Sequence, residues 1–498
     1  MSSFHSIVSR RDFMKALGVT GAGLGAAAAV APSFNDIDDM MGAPSASNHL
    51  PWYVKEMDLL KCTSEIDWDM LKRWDHSNTG YGAATTKHYP SGARNAEYTA
   101  AGNARRDEYR AKQHPGYDLK WQALNQGKSD RKTSAAWQYE GLTNTADLSP
   151  LPSEWGLPNW TGTPEEASRL AMAAIRYFGF SIVGFADLDS TWRNKLVLTK
   201  TSATAAYVYD NVPKAFRRTN GTITEHVIPS KASLLFLCSP QTPEARKSNS
   251  ILANGNATAV DNFHSSVEAR LFRFLRTLGD YQLFGLTGHQ AFAVNAGAAT
   301  ALTGVGEASR QNNYALSFEV GPNYNPLVLM TTLPLAPTKP IDAGMFRFCH
   351  GCAICAKQCP SNSISLDKEP SWDIPLTEGL PTIYKNPGIK LFWTNQVSCY
   401  NYYTQYYGCA PVEIMGDAGG GRSCFGVCPF GEDRAALAHN VIRATAATTG
   451  IFNSFFASLA DVFGTGQAAL RPDDWWDMAL PSHGTPTHIR ATKGQWKM

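Results

Sequence analysis

Cys349-x2-Cys352-x2-Cys355-x3-Cys359-Pro360 decides how the C-terminal part of this chain is read. Three thiols at three-residue steps, with a fourth before proline, are spaced to wrap a cubane iron–sulfur cluster, and the fourth cysteine of such a run usually reaches across to a second cluster. Material for a second cluster follows. Cys399, Cys409, Cys424 and Cys428 lie downstream, and Cys424-x3-Cys428-Pro429 repeats the tail of the first run. Eight of the ten cysteines therefore fall between residues 349 and 428, a bunching that use as small buried hydrophobes does not produce. Zinc ribbons favour paired C-x2-C knuckles without the C-x3-C-P ending. The stretch thus predicts two [4Fe–4S] clusters in a ferredoxin-like module.

In such modules pseudo-twofold symmetry brings each terminal cysteine beside the opposite cluster. Cys349, Cys352, Cys355 and Cys428 are then expected on one cluster, and Cys359, Cys399, Cys409 and Cys424 on the other. The second set departs from compact spacing, which leaves open whether Cys399 and Cys409 are both ligands. Cys62 and Cys238 read as structural, Cys238 closing the apolar run Ser233-Leu234-Leu235-Phe236-Leu237.

Working outward, the amino terminus carries Ser9-Arg10-Arg11-Asp12-Phe13-Met14-Lys15 before a Gly/Ala-rich stretch at 16–31. That stretch is too short and glycine-rich to span a bilayer core of roughly 30 Å, and reads as a twin-arginine export signal cleaved between residues 31 and 47. This route carries folded proteins, which suits clusters built before export. The expected location is the outer face of the cytoplasmic membrane, peripherally attached. With 498 residues, 43% of them hydrophobic, the chain fills two or three domains. A net charge of only +2 argues against nucleic acid as a partner. No later stretch reaches transmembrane length, so membrane attachment is expected through another subunit.

Residues 46–159 are polar and read as an irregular N-terminal unit with short helices. Thr163-Pro164-Glu165-Glu166 supplies an N-cap, a proline at the first helical position and acids against the helix dipole. That helix has Leu170, Ala171, Ala174, Ile175 and Phe178 on one face, with Gly179 as its stop. Residues 181–186 read as a buried strand, and Val267, Leu271, Phe274, Leu275 and Leu278 mark a second helix ending at Gly279. Helix and strand signals alternate, so residues 160–335 form an expected α/β domain. The proline-marked stretch at 333–340 joins it to the cysteine module at 336–435, and residues 436–498 form a C-terminal extension.

At this point the chain resembles a family, the respiratory reductive dehalogenases. The resemblance covers nearly the whole length. It rests on Arg10-Arg11-Asp12-Phe13-Met14-Lys15, Trp160-Thr161-Gly162-Thr163-Pro164-Glu165-Glu166, Gly306-Glu307-Ala308-Ser309-Arg310, Leu333-Pro334-Leu335-Ala336-Pro337-Thr338-Lys339-Pro340-Ile341-Asp342-Ala343-Gly344, and both cysteine groups. It implies a nitroreductase-like core that holds a base-off corrinoid of the cobalamin type, with Gly306, Arg310 and Asn295 among the cofactor contacts. Two clusters would feed electrons to cobalt; such clusters span roughly −700 to +450 mV. An organohalide would exchange halogen for hydrogen, as the last step of organohalide respiration. The implied partners are that substrate, a small integral-membrane anchor subunit and an upstream respiratory electron donor. The chain lacks an Asp-x-His-x-x-Gly motif, so no histidine of that kind is offered to cobalt, and His289 reads as a polar contact.

The proton donor departs from the family pattern. Where relatives often place a tyrosine, six residues before Val267, this chain has Asp261, and Asn325 replaces a basic residue after Gly321-Pro322-Asn323. A desolvated carboxylic acid keeps its proton and can donate it, so Asp261 is either the donor or a helix cap. Tyr281, His264 and Tyr324 stay open as alternatives. The aromatics Trp393, Tyr400, Tyr402, Tyr403, Tyr406 and Tyr407 read as packing rather than a substrate channel, and residues 418–421 as a flexible turn. Two other classes stay open: an exported ferredoxin-like subunit, which leaves some 300 residues without a task, and an epoxyqueuosine-reductase-like enzyme, which an export signal contradicts.

Overall fold

The continuous apolar run from Ser233 sets the centre of the molecule, because successive side chains of a strand point to opposite faces and an unbroken run is buried on both. The computed structural model describes residues 50–79, 82–122, 150–180, 182–202, 204–240, 260–285, 293–311, 315–406, 424–431, 437–462 and 476. The export signal lies outside them. In chain order the strands are β1 (Lys55–Glu56), β2 (Ile182–Asp187), β3 (Lys200–Ser202), β4 (Ala205–Asp210), β5 (Phe216–Asn220), β6 (Ile223–Pro229), β7 (Ser233–Pro240), β8 (Leu283–Phe284), β9 (Gly306–Glu307), β10 (Leu316–Ser317), β11 (Tyr324–Thr331) and β12 (Ile341–Asp342). The helices are α1 (Ala83–His88), α2 (Pro90–Ala93), α3 (Asn95–Ala111), α4 (Pro164–Tyr177), α5 (Val260–Gly279), α6 (Ala296–Leu302), α7 (Met345–Cys352), α8 (Ile354–Lys357), α9 (Gln396–Tyr406), α10 (Leu437–Thr448) and α11 (Asn453–Val462).

The central sheet has the order β2-β7-β11-β8. All its pairs are antiparallel, with Leu237 opposite both Val183 and Leu327. Leu234, Phe236 and Cys238 of β7 face one side with Ile182, Ala186, Val328 and Met330, whereas Leu235 and Leu237 face the other with Phe185, Leu327 and Leu329. Both faces are therefore covered. Ala171 and Ile175 of α4 and Leu271 and Leu275 of α5 close one; Tyr207 and Ile228 of a second sheet, with Ala299 and Leu302 of α6, close the other. Each of the leucines and isoleucines among them, fully buried, contributes about 2 kcal/mol. The second sheet runs β3-β4-β6-β5, with β4 and β6 parallel.

The capping signals are realised. Thr163 Oγ1 accepts from Glu166 N at 3.2 Å while Glu166 Oε2 accepts from Thr163 N at 2.9 Å, a reciprocal box worth about 1 kcal/mol. Gly179 follows α4 at φ 115°. The proline-marked joint is fastened along its length: Leu335 N donates to Ser233 Oγ, Ala336 N to Ser168 Oγ, and Thr338 Oγ1 to the carbonyl of Thr303 at 2.6 Å.

The N-terminal part is more regular than its sequence suggests, since α3 runs for 17 residues. Its mean hydropathy is low, which hides it, because it packs on α9 through small residues rather than an apolar stripe. A Cβ on Gly102 would lie 2.2 Å from the carbonyl oxygen of Thr404 in α9, and Arg105 Nη1 donates to Gln405 O at 2.7 Å. β1 pairs with β12, Lys55 opposite Asp342. Residues from Trp52 onward form one compact unit. Gly102→Ala is expected to force α3 and α9 apart and cost about 1–3 kcal/mol, as overpacking does; an unchanged denaturant midpoint would contradict this contact.

Candidate metal centre

Two short helices and one returning turn bring four thiols around a single hollow. Cys349 and Cys352 sit near the end of α7, Cys355 lies in α8, and Cys428 arrives just before the turn Pro429–Gly431. Between α7 and α8 the chain reverses at Ala353, with φ 51° and ψ 10°, a left-handed conformation costing a non-glycine residue about 1 kcal/mol. That bend aims Cys352 and Cys355 into one space. The hollow is lined by all four cysteines with Leu316, Phe348, Pro429, Phe430, Arg310 and Gln311 among its other walls. Among the described residues, no three His, Cys, Asp or Glu side chains close around a point as a lone metal ion requires. Burial pushes the Cys349 thiol up to about 12 and raises that of Cys428 well above its ordinary value, so a bare thiolate is unfavourable in this wall.

One motif holds the helix that carries the first two cysteines. Glu307 is 1% exposed; its Oε1 accepts from Ala343 N at 2.6 Å and Met345 N at 3.2 Å, and its Oε2 from Phe346 N at 3.1 Å and Thr63 Oγ1 at 2.9 Å. Burial raises its pKa, and the backbone donors from Phe346 and Ala343 oppose that rise. A carboxylate here satisfies the orphan N–H groups at the start of α7 and complements its dipole. Arg310 holds the other end. Its Nε and Nη2 donate to Cys349 O at 3.0 and 2.8 Å, Nη2 also to His350 O at 3.3 Å, and Nη1 to Ser365 O and Asp367 O at 2.8 and 2.6 Å. Its guanidinium carbon stands 3.9 Å from the centre of the Phe392 ring.

The other expected residues are placed as follows. Cys359 Sγ meets Ser361 Oγ at 3.4 Å, and the hydroxyls Ser361, Ser363 and Ser398 continue at 2.6 Å steps to α9, which bears Cys399. Cys424 lies within electrostatic reach of Cys355, and its carbonyl accepts from Gln311 Nε2 at 2.6 Å. Cys409, His289, residues 418–421 and Tyr407 lie outside the described residues. Cys62 donates to Ser64 O, and Cys238 is core.

For the implied cofactor contacts the structure supplies jobs within the protein. Gly306 is held tight in the β9–β10 pair, where a Cβ would lie 1.7 Å from Leu316 O. Asn295 is an exposed N-cap, its Oδ1 accepting from Ala298 N at 3.1 Å. Arg310 gives every guanidinium N–H to a carbonyl. Tyr281 OH donates to Trp160 O at 2.8 Å, and Tyr324 OH to Ala315 O at 3.1 Å. Asn325 is nearly buried in β11, opposite Ser239. Asp261 stands within α5 rather than ahead of it, so the cap reading is corrected; its side chain and that of His264 lie outside the described residues. Trp393 Nε1 donates to Ser371 O, and Tyr400 and Tyr403 stack at 6.4 Å, as packing residues do.

One residue carried no sequence signal. Glu268, seven positions beyond Asp261 on α5, is 3% exposed and its Oε2 has no hydrogen-bond partner among the described residues. Burial pushes it up to about 8. A glutamate flanked by helix formers looks like a solvated position in sequence, and only the covering by other elements distinguishes it.

Comparison with known proteins now bears on this arrangement. The profile of the family described as reductive dehalogenase subunit matches residues 49–335. The chain belongs to the reductive dehalogenase family. The chloroethene reductive dehalogenase of Dehalococcoides mccartyi strain VS is 28% identical, over 97% of this chain and 99% of that protein. The trichloroethene reductive dehalogenase of D. mccartyi strain ATCC BAA-2266 / KCTC 15142 / 195 is also 28% identical, over 98% and 99%. A solved reductive dehalogenase described in terms of B12-dependent dehalogenation superposes with a TM-score of 0.54 at 15% identity, covering 84% of this chain and 50% of that one. The chain thus spans about half the length of that structure, and the likeness establishes a shared mixed α/β fold. The matched region is the part that a ferredoxin-like subunit leaves without a task, so that alternative is not favoured. Members of this family are oxidoreductases acting on carbon–halogen bonds, and this chain is read as one.

Glu268 yields a pH test. Folded, it keeps its proton to about pH 8, whereas the ordinary value is 4.5. Between those values the folded state binds more protons than the unfolded one, so this group makes stability fall as pH rises, and the loss is complete above about 8. Glu268→Gln is expected to change stability little at low pH and to raise it by a few kcal/mol, on the order of 1.4 per pKa unit, above pH 8. Denaturant melts at both pH values check this; equal shifts would contradict it.

Proposed function

We propose that this chain is an exported, corrinoid-dependent reductive dehalogenase that acts as terminal reductase of organohalide respiration. A nitroreductase-like core spans residues 160–335 and a ferredoxin-like module bearing two [4Fe–4S] clusters spans residues 336–435. One observation carries the cluster reading: the first three cysteines of the run share a hollow with Cys428, not with Cys359. The donor set fits, because raised thiols in an apolar wall are ionised by coordination to iron rather than by water. Cys359, Cys399, Cys409 and Cys424 hold the second cluster on this reading.

Support for the corrinoid comes from two buried amides between the core and the cysteine module. Gln311 gives its N–H to Cys424 O, and Asn323 gives its own to Gly431 O. Their oxygens, Gln311 Oε1 and Asn323 Oδ1, have no donor among the described residues. A corrin ring carries peripheral amide N–H groups that match such acceptors. Gln311 and Asn323 are therefore assigned to hold it, in place of Arg310, whose N–H groups all go to carbonyls, and Asn295, an exposed helix cap.

When bound, the clusters supply one-electron transfer and the corrinoid supplies cobalt chemistry at the carbon–halogen bond. The chain's residues supply the rest. Phe348, Phe430 and Leu316 keep water from the hollow. Asn325 offers a neutral hydrogen bond, and Asp261 is assigned as the acid that delivers the proton replacing halide. The hydroxyls of Tyr281 and Tyr324 already donate to carbonyls, which leaves them poorer candidates. Among the described residues no helix is long and apolar enough to cross a membrane, so attachment is assigned to a small integral-membrane subunit, with electrons from an upstream respiratory donor. The names of the relatives make chlorinated ethenes the first substrates to assay.

Metal analysis of the purified protein tests the whole reading. About eight irons and one cobalt per chain are expected; iron without cobalt would return the ferredoxin-like alternative. Cys428→Ala is expected to perturb the cluster held by Cys349, Cys352 and Cys355, and spectra altered only in the other cluster would overturn the pairing. Asp261→Asn is expected to keep both metals and near-normal stability while turnover falls about 10²-fold or more. Full activity in that variant would remove Asp261 from the chemistry.

A further inference from the structure

Arg310 poses a charge problem that the protein alone leaves open. The residue is 1% exposed, and its five guanidinium N–H groups go to the carbonyls of Cys349, His350, Ser365 and Asp367. Its hydrogen bonds are satisfied but its charge is not, because no carboxylate pairs with it among the described residues. Besides those carbonyls, the ring of Phe392 stands 3.9 Å from its guanidinium carbon. A buried cation without an anion is strongly unfavourable, and carbonyl dipoles relieve only part of that. The side chain lines the same hollow as Cys349, Cys352, Cys355 and Cys428. Four thiolates around an iron–sulfur cube place net negative charge in that hollow, and one more negative charge arrives on reduction.

We infer that Arg310 is the built-in counter-charge of the cluster held by Cys349, Cys352, Cys355 and Cys428, and that it raises that cluster's reduction potential by favouring the reduced form. The inference rests on the cluster reading proposed above. Its physical basis is that net charge and hydrogen bonding near a cluster are the levers by which a protein sets its potential. Arg443, 5% exposed, lies on the Cys428 side, where its Nη2 donates to Phe430 O at 2.5 Å and its Nη1 to Phe318 O at 2.9 Å. Of these two arginines, Arg310 is the one that holds the backbone of a cysteine in the run itself. It therefore acts as a positioning and tuning residue through Cys349 and is not a catalytic residue.

The test compares wild type, Arg310→Lys and Arg310→Gln, each reconstituted with iron and sulfide, by iron content and by redox titration followed by electron paramagnetic resonance. The lysine variant keeps the charge and loses the fork; the glutamine variant keeps a donor and loses the charge. Both variants are expected to load iron, with one of the two titration steps moved to more negative potential in Arg310→Gln, the other step unmoved, and both steps near wild type in Arg310→Lys. Iron loading by the lysine variant but not by the glutamine variant also supports the inference. Unchanged potentials in a fully loaded glutamine variant overturn it, as do equal shifts in the two variants or failure of both to load while their circular dichroism stays native. Wild type that binds no iron would instead remove the cluster reading itself.

Discussion

A buried carboxylate and a buried guanidinium, three residues apart, grip the two ends of one short helix, and the arrangement of the cysteines depends on that grip. Glu307 takes the N–H groups at the start of α7 and Arg310 takes the carbonyls at its end. An eight-residue helix has little stability of its own, because its nucleation is unfavourable and few of its backbone bonds are internal. Held at both ends, it presents Cys349 and Cys352 in fixed register. The strained Ala353 then turns the chain toward Cys355. The strand pair β9 with β10 places Glu307, and Arg310 follows three residues on, so the tight backbone contact at Gly306 ties the position of the core to the thiols.

The sequence made some of this legible and concealed the rest for physical reasons. Helices α4 and α5 and strands β2 and β7 follow from periodicity and capping, which are local. The cysteine run stood out because thiol spacing is a covalent ruler. The order β2-β7-β11-β8 was not legible, since alternating helix and strand signals suit parallel sheets as readily as this antiparallel one. Helix α3 was hidden because its contacts use Gly102 and backbone rather than an apolar stripe. Within Gly306-Glu307-Ala308-Ser309-Arg310 the residues stood out as a motif, but their roles as ligands of backbone at α7 are set by partners some 40 positions away. The donor set at Cys428 was inferred from symmetry, and Glu268 from nothing in the sequence at all.

The joint at 333–340 looks in sequence like a linker. Its prolines keep it extended, and an extended chain exposes its N–H and carbonyl groups to neighbours on either side. Ser168, Ser233, Thr303 and the backbone of Phe185 accept or supply those bonds. The joint is consequently tied to the core through several short contacts, which fixes the place where the cysteine-bearing segment begins.

The pairing of β1 with β12 has a consequence in time. Lys55 and Asp342 meet across more than half of the chain, and contacts of such separation form late because the loop between them must first be closed at an entropic cost. The cysteine helix begins three residues past β12. A newly made chain therefore keeps its N-terminal strand unpaired until β12 has emerged, and the thiol-bearing helix follows directly behind that closure. Order of assembly is written into the topology: the strand that closes the chain is made immediately before the segment that carries the thiols.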